Sequence, residues 1–246
     1  MDKIELNGWQ DLFLFRYGTY WFIKAYIMLY IFAPVLNAFV ELSSRLQIKY
    51  FLISFYIAQT VYGFYINIGW FSSGYSPLSF MGLYLLARYM RLYPNRLTSL
   101  NKLADISIYF IVSVIIALCS LLMTLRYGKV GTSLFSYSSP LMIISALYFF
   151  LFFTKLSIDS KIVNWISISC FAVYVVHCSP FLFEFYYVNA IRYWHENETI
   201  YIFLIHTSFL LVFYFLFSIL LDKFRLIVWE SFKSSLSRIR HIDNLK

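Results

Sequence analysis

The chain has 246 residues, of which 61% are hydrophobic, 22% aromatic and only 13% charged, with a formal net charge of +8 and a mean hydropathy of +0.70. A soluble domain is about 45–50% apolar and about 25% charged, so this composition excludes a disordered chain, a collagen-like repeat and a secreted disulfide scaffold. It makes lipid the expected solvent for much of the surface. Cys119, Cys170 and Cys178 are an odd set in apolar runs, and they read as small buried hydrophobes rather than a disulfide frame or a metal site.

Seven apolar stretches are long enough, or nearly so, to cross a ~30 Å hydrocarbon layer as helices: residues 20–40, 50–70, 77–93, 104–125, 140–154, 162–183 and 200–221. The third and fifth are short. Polar or charged breaks at 41–49, 94–102, 126–139 and 184–199 separate them, and a basic tail follows at 222–246. Phe, Ile and Leu fill the stretches without the alternation of a barrel strand. The expected fold is therefore all-α, a polytopic transmembrane bundle of about seven spans forming a single membrane domain over residues 1–246, with no internal repeat and no soluble domain.

Positive side chains are retained on the cytoplasmic face. When the sides alternate along the chain, fourteen Lys and Arg residues fall on one side and six on the other. That predicts the N-terminus outside, the C-terminus inside and a cytoplasmic tail. The +8 charge then expresses this asymmetry and a tail beside anionic lipid, not nucleic-acid binding. Residues 1–19 lack the basic, apolar and small-residue zones of a signal peptide, so an outside N-terminus leads to the expectation that earlier helices are missing.

Ionisable groups inside a membrane are costly and hence informative. None of the twelve Asp and Glu residues lies near the middle of a span. This argues against a proton-coupled transporter and leaves neither paired carboxylates for acid–base work nor a metal-ligand cluster. Within the spans stand His177, His206, Lys24 and Arg88. His177 precedes residue 183 by six positions and His206 follows residue 200 by six, which puts both imidazoles roughly 9 Å below the outer surface at 1.5 Å per residue. They are read either as a proton-handling or substrate-binding pair or as two separately bonded imidazoles. Pro180, three residues after His177, would free a backbone carbonyl and open the helix to a polar ligand. Arg88 and Arg91 share a helix face near the cytoplasmic end of the third span, with Arg96 and Lys102 beyond. Such a cluster suits the phosphates of a nucleotide-like donor; ordinary snorkelling under the positive-inside bias explains it equally in kind. The outer loop at 184–199 carries Arg192, Tyr193, Trp194, His195, Glu196 and Glu198, a wet aromatic surface that suits a sugar or simply a membrane interface.

Several segments carry a family resemblance. Tyr20-Trp-Phe-Ile-Lys-Ala-Tyr-Ile-Met-Leu-Tyr30, Ala33-Pro34-Val-Leu-Asn37 and Gly82-Leu-Tyr-Leu-Leu-Ala-Arg88-Tyr-Met-Arg91 resemble the middle of the integral-membrane acyltransferase 3 family. Tyr137-Ser-Ser-Pro140, Asn164-Trp165, Ser169-Cys-Phe-Ala-Val-Tyr-Val-Val-His177 and Pro180 are similar to its later region. The similarity runs from about residue 20 to residue 221. It implies a bacterial inner-membrane enzyme that moves an acyl group, acetyl above all, onto a hydroxyl of a cell-surface polysaccharide. Acetyl-CoA or another acyl-CoA would be the donor substrate, with no bound cofactor. The partners implied are the bilayer, the donor and a glycan or its precursor. Arg88 and Arg91 become the expected donor-binding residues, His177 the candidate catalytic residue, and His206, Trp194 and His195 the acceptor side.

The family pattern departs at the start of the chain. Family members have about ten membrane helices, with an arginine on the first and a catalytic histidine eleven positions later. No arginine precedes any of the four histidines here by eleven positions. Arg88-Tyr-Met-Arg91 has the family's Arg-x-x-Arg spacing on a later helix. A member without its first three helices would have seven spans, N-out and C-in, so the expectation is a truncated form, inactive if the lost histidine is essential. Two readings compete with the enzyme: a polysaccharide permease or flippase-like protein without catalysis, which calls for a continuous polar path, and a polysaccharide polymerase, which calls for a larger outer loop.

Overall fold

Four helix starts in this chain carry a small polar residue, Ser44, Ser76, Asn101 or Ser160, whose side chain takes up one of the first free N–H groups. The computed structural model describes residues 20–96, 98–128, 132–179, 182 and 188–243, with side chains except at 72, 132 and 234–243. Among these residues every regular element is helical, and they divide into two compact units, Trp21–Ser157 and the described part of Met1–Tyr20 with Ile158–Lys246.

The first unit begins with α1 (Trp21–Leu42), which keeps Pro34 inside it. A capping box then opens α2 (Arg45–Ala58): the Gln47 N–H donates to Ser44 Oγ and the Ser44 N–H to Gln47 Oε1. From α2 the chain runs into a π-helical segment, Gln59–Tyr65, before Asn67 turns it with φ 56°. Ser76 caps α3 (Pro77–Leu92), with Pro77 in the first turn, where its missing N–H is no loss. Pro94 follows the end of α3, and the residue before a proline disfavours helix. Asn101 caps α4 (Lys102–Tyr127), which Gly128 closes in the left-handed conformation. Ser139 and Pro140 start α5 (Pro140–Thr154).

Packing inside this unit joins α1, α2 and α3 through a buried cluster of Val40, Ile48, Leu52 and Leu85. The pair α4 and α5 meets through small and aromatic residues: Ser113 Oγ lies 3.2 Å from Ser145 Oγ, and the Tyr109 and Phe149 rings lie 4.6 Å apart. Small side chains let membrane helices approach closely.

The second unit contains α6 (Lys161–Ser167), α7 (Cys170–His177), α8 (Asn189–Asn197) and α9 (Ile200–Asp243). The stretch expected as one span at 162–183 is therefore broken. Its break falls at Ser169, whose N–H bonds the Ile166 carbonyl oxygen in one tight turn and which is itself buried. Ser218 and Ile219 of α9 are buried, and the Lys223 ammonium donates to the Trp165 carbonyl oxygen at 2.8 Å while standing over its ring. The segment expected as a basic tail at 222–246 is helical as far as Asp243, in continuation of α9.

Among the described residues, three helices have the length and apolar composition to cross a membrane: Trp21–Leu42, Lys102–Tyr127 and the Ile200–Lys233 part of α9. The Pro140–Thr154 helix is apolar but shorter. Much of their surface is apolar and exposed, including Phe110, Leu122, Phe209 and Phe213, which fits lipid rather than water.

Gly74 supplies a direct test of the link between α3 and the segment before α5. Its φ is +95°, and a Cβ there would lie 2.4 Å from Tyr137 Cβ and 2.9 Å from the Tyr137 carbonyl carbon. Gly74→Ala is expected to cost about 1–3 kcal/mol in reversible unfolding. Gly69→Ala, where a Cβ meets nothing within 4 Å, is the control and should unfold like the native chain.

Candidate functional site

Residues three apart on a helix share a face, so Arg88 and Arg91 emerge together near the end of α3. They line one cavity of about 540 Å³ with Tyr84, Pro94, Thr98, Thr154 and Lys155. Arg88 is half-buried and Arg91 exposed. The Arg88 Nε is buried and has no hydrogen-bond partner among the described residues. Neither arginine is ion-paired with an acid among those residues. The wall beside them is fixed, since the Tyr84 hydroxyl donates to Asn37 Oδ1 of α1 at 2.6 Å. The cavity thus offers unspent guanidinium donors in a partly apolar setting, where charge-assisted bonds to an anion are strong. Arg88 and Arg91 thus open onto one cavity, as their three-residue spacing implies.

Lys155 was not among the expected residues. Its ammonium is ion-paired with Asp105, which is fully buried in the first turn of α4, where a helix N-terminus favours a negative charge. The partners stand fifty positions apart in sequence. Their one sequence signal is matching depth: Asp105 stands in the first turn of α4 and Lys155 just after the last turn of α5, which is the same end of the hairpin.

At the opposite end of this unit, Trp21 lies 4.5 Å from Tyr75, and Tyr75 lies 4.9 Å from Tyr137, ring to ring. Burial, reinforced by the Tyr137 phenol, raises the Tyr75 pKa above its ordinary value, so the group stays a neutral hydroxyl at physiological pH. Tyr75 keeps 45% of its surface exposed, whereas Ser138 and Ser139, next to Tyr137 in the chain, are buried.

In the second unit His177 is the last residue of α7. It lines a cavity of about 380 Å³ with Val173, Leu211, Val212, Tyr214, Phe215 and Ser218. His206 sits elsewhere: its Nδ1 is 2.9 Å from Glu198 Oε2, and its ring lies 5.2 Å from that of Trp194. His195 meets Phe203 edge-on at 5.5 Å. Trp194, His195 and His206 are therefore gathered around the α8–α9 turn, while His177 faces residues five to twelve positions further along α9, roughly 8–18 Å at 1.5 Å per residue. The two imidazoles have separate surroundings. Their expected common depth was counted from residue 183, which lies outside the described residues, as does Pro180. Among the described residues no three His, Cys, Asp or Glu side chains come together as metal ligands would.

A family model described as an acyltransferase domain matches residues 2–223 of the chain. No curated protein and no solved structure matches it.

The Tyr84–Asn37 bond is testable without any ligand. Tyr84→Phe should lower unfolding stability by about 1 kcal/mol, measured by denaturation in detergent micelles, and leave helix content unchanged.

Proposed function

The chain belongs to the acyltransferase 3 family, and on that premise we propose that it transfers an acyl group, acetyl in the simplest case, from an acyl-CoA to a hydroxyl of a cell-surface carbohydrate. The observation that supports this most is the cavity shared by Arg88 and Arg91. Coenzyme A carries a pyrophosphate and a further phosphate, and guanidinium groups bind phosphate oxygens in forked pairs. At about 540 Å³ the cavity falls within the range of small-molecule sites, about 300–1,000 Å³.

The membrane arrangement belongs to the same proposal. Seven crossings in a bacterial inner membrane, N-out and C-in, set the Arg88 cavity at the cytoplasmic leaflet, where acyl-CoA is available. The same arrangement sets Trp194, His195 and His206 at the outer surface, facing the carbohydrate. The acceptor hydroxyl oxygen bonds to the thioester carbonyl carbon, the carbon–sulfur bond breaks, and the thiol departs with the hydroxyl proton. His177, lining the smaller cavity, positions or polarises the acceptor hydroxyl on its route. An imidazole can accept that proton near neutral pH and hand it on to the departing thiolate.

Transfer of labelled acetyl from acetyl-CoA in membranes tests these roles separately. Arg88→Ala should raise KM for acetyl-CoA roughly tenfold or more, the effect of one lost charge-assisted contact. His177→Ala should lower kcat roughly 10²-fold with little change in that KM. Native rates in both variants would refute the assignment.

A further inference from the structure

A buried carboxylate without a partner is strongly unfavourable, yet Asp105 has no exposed surface. Its partner is Lys155, whose ammonium also donates to the Leu100 carbonyl oxygen at 2.8 Å. Two of the three N–H donors of Lys155 therefore have fixed acceptors. The lysine side chain is 26% exposed and lines the same cavity as Arg88 and Arg91. A lysine at the end of a membrane helix ordinarily reaches outward to water; this one is held against the cavity wall.

From this geometry we propose that Asp105 is a positioning residue, fixing Lys155 as the third cation for the phosphates of the donor; the inference rests on the acyl-CoA reading of that cavity. Asp105 does two things. It anchors the ammonium at one place, so that little side-chain freedom is lost when an anion arrives. It also offsets the repulsion among three cations that share one partly desolvated space while no anion is bound. The alternative, a staple between α4 and α5, adds little where Ser113–Ser145 and Tyr109–Phe149 already join those helices.

Binding of coenzyme A to the purified full chain in lipid nanodiscs tests the role. Lys155→Met should weaken binding about tenfold, and Lys155→Arg should restore most of it. Asp105→Asn, with Lys155 intact, should weaken binding by a similar factor. Asp105→Asn combined with Lys155→Met should be no weaker than Lys155→Met alone, since the two act as one device. Native binding by Asp105→Asn, or a double variant weakened by the product of the two single effects, overturns the proposal. If Asp105→Asn does not fold because it leaves a charge unpaired, the double variant, with neither charge present, decides the question: about tenfold weaker binding supports the role and native binding overturns it. Failure of the native chain to bind coenzyme A removes the donor reading and this inference together. Weakening by Arg88→Ala without any effect at Asp105 or Lys155 removes only the positioning role.

Discussion

A charge in hydrocarbon must be paired, brought to water or removed, and that constraint places the chemistry of this molecule. Its helices expose apolar side chains along most of their length, so ionisable groups collect at helix ends. In the first unit the result is a basic end and an aromatic, serine-rich end. Arg88, Arg91 and Lys155 share a cavity at one; Trp21, Tyr75 and Tyr137 share contacts at the other. Asp105 shows the same rule from the acidic side, since it is buried only because Lys155 accompanies it. In the second unit the rule recurs where Asp222, nearly buried, takes Arg225 as its partner at 2.8 Å.

An acyltransferase acting on a thioester needs an anion site for the carrier and a polarised hydroxyl at the acceptor. In the proposed reading the two units supply residues for these separately. The first unit holds guanidinium donors with no acidic partner among the described residues, beside a tethered lysine. The second holds an imidazole in an apolar cavity and a gathering of Trp194, His195 and His206 against Glu198. Phosphate recognition by fixed cations depends on position as much as on charge, which gives the buried Asp105 its importance in this scheme.

Helix positions were legible wherever composition and local capping agreed. The apolar run at 104–125, bounded by Asn101 and Gly128, became α4; Ser76-Pro77 and Ser139-Pro140 marked the starts of α3 and α5. Hydropathy reports which solvent a segment prefers but not whether its backbone is continuous. That is why the break at Ser169, the π-helical turns at Gln59–Tyr65 and the extension of α9 to Asp243 were hidden. The shared face of Arg88 and Arg91 followed from spacing alone. The Asp105–Lys155 pair did not, because it forms across a hairpin. The separation of His177 from His206 stood as only one of two readings, since depth counted along sequence assumes one unbroken helix.

The account depends most on the two ends of α3 lying on opposite sides of a bilayer, with the basic cavity inside. In a chain whose Cys119, Cys170 and Cys178 are replaced by serine, single cysteines at Trp70 and Ser99, both exposed, report each end to a membrane-impermeant thiol reagent. The account predicts that the Trp70→Cys thiol reacts only from outside the cell and the Ser99→Cys thiol only from the cytoplasmic side of inverted vesicles. Reaction of both from one side, or the reverse pattern, would contradict it.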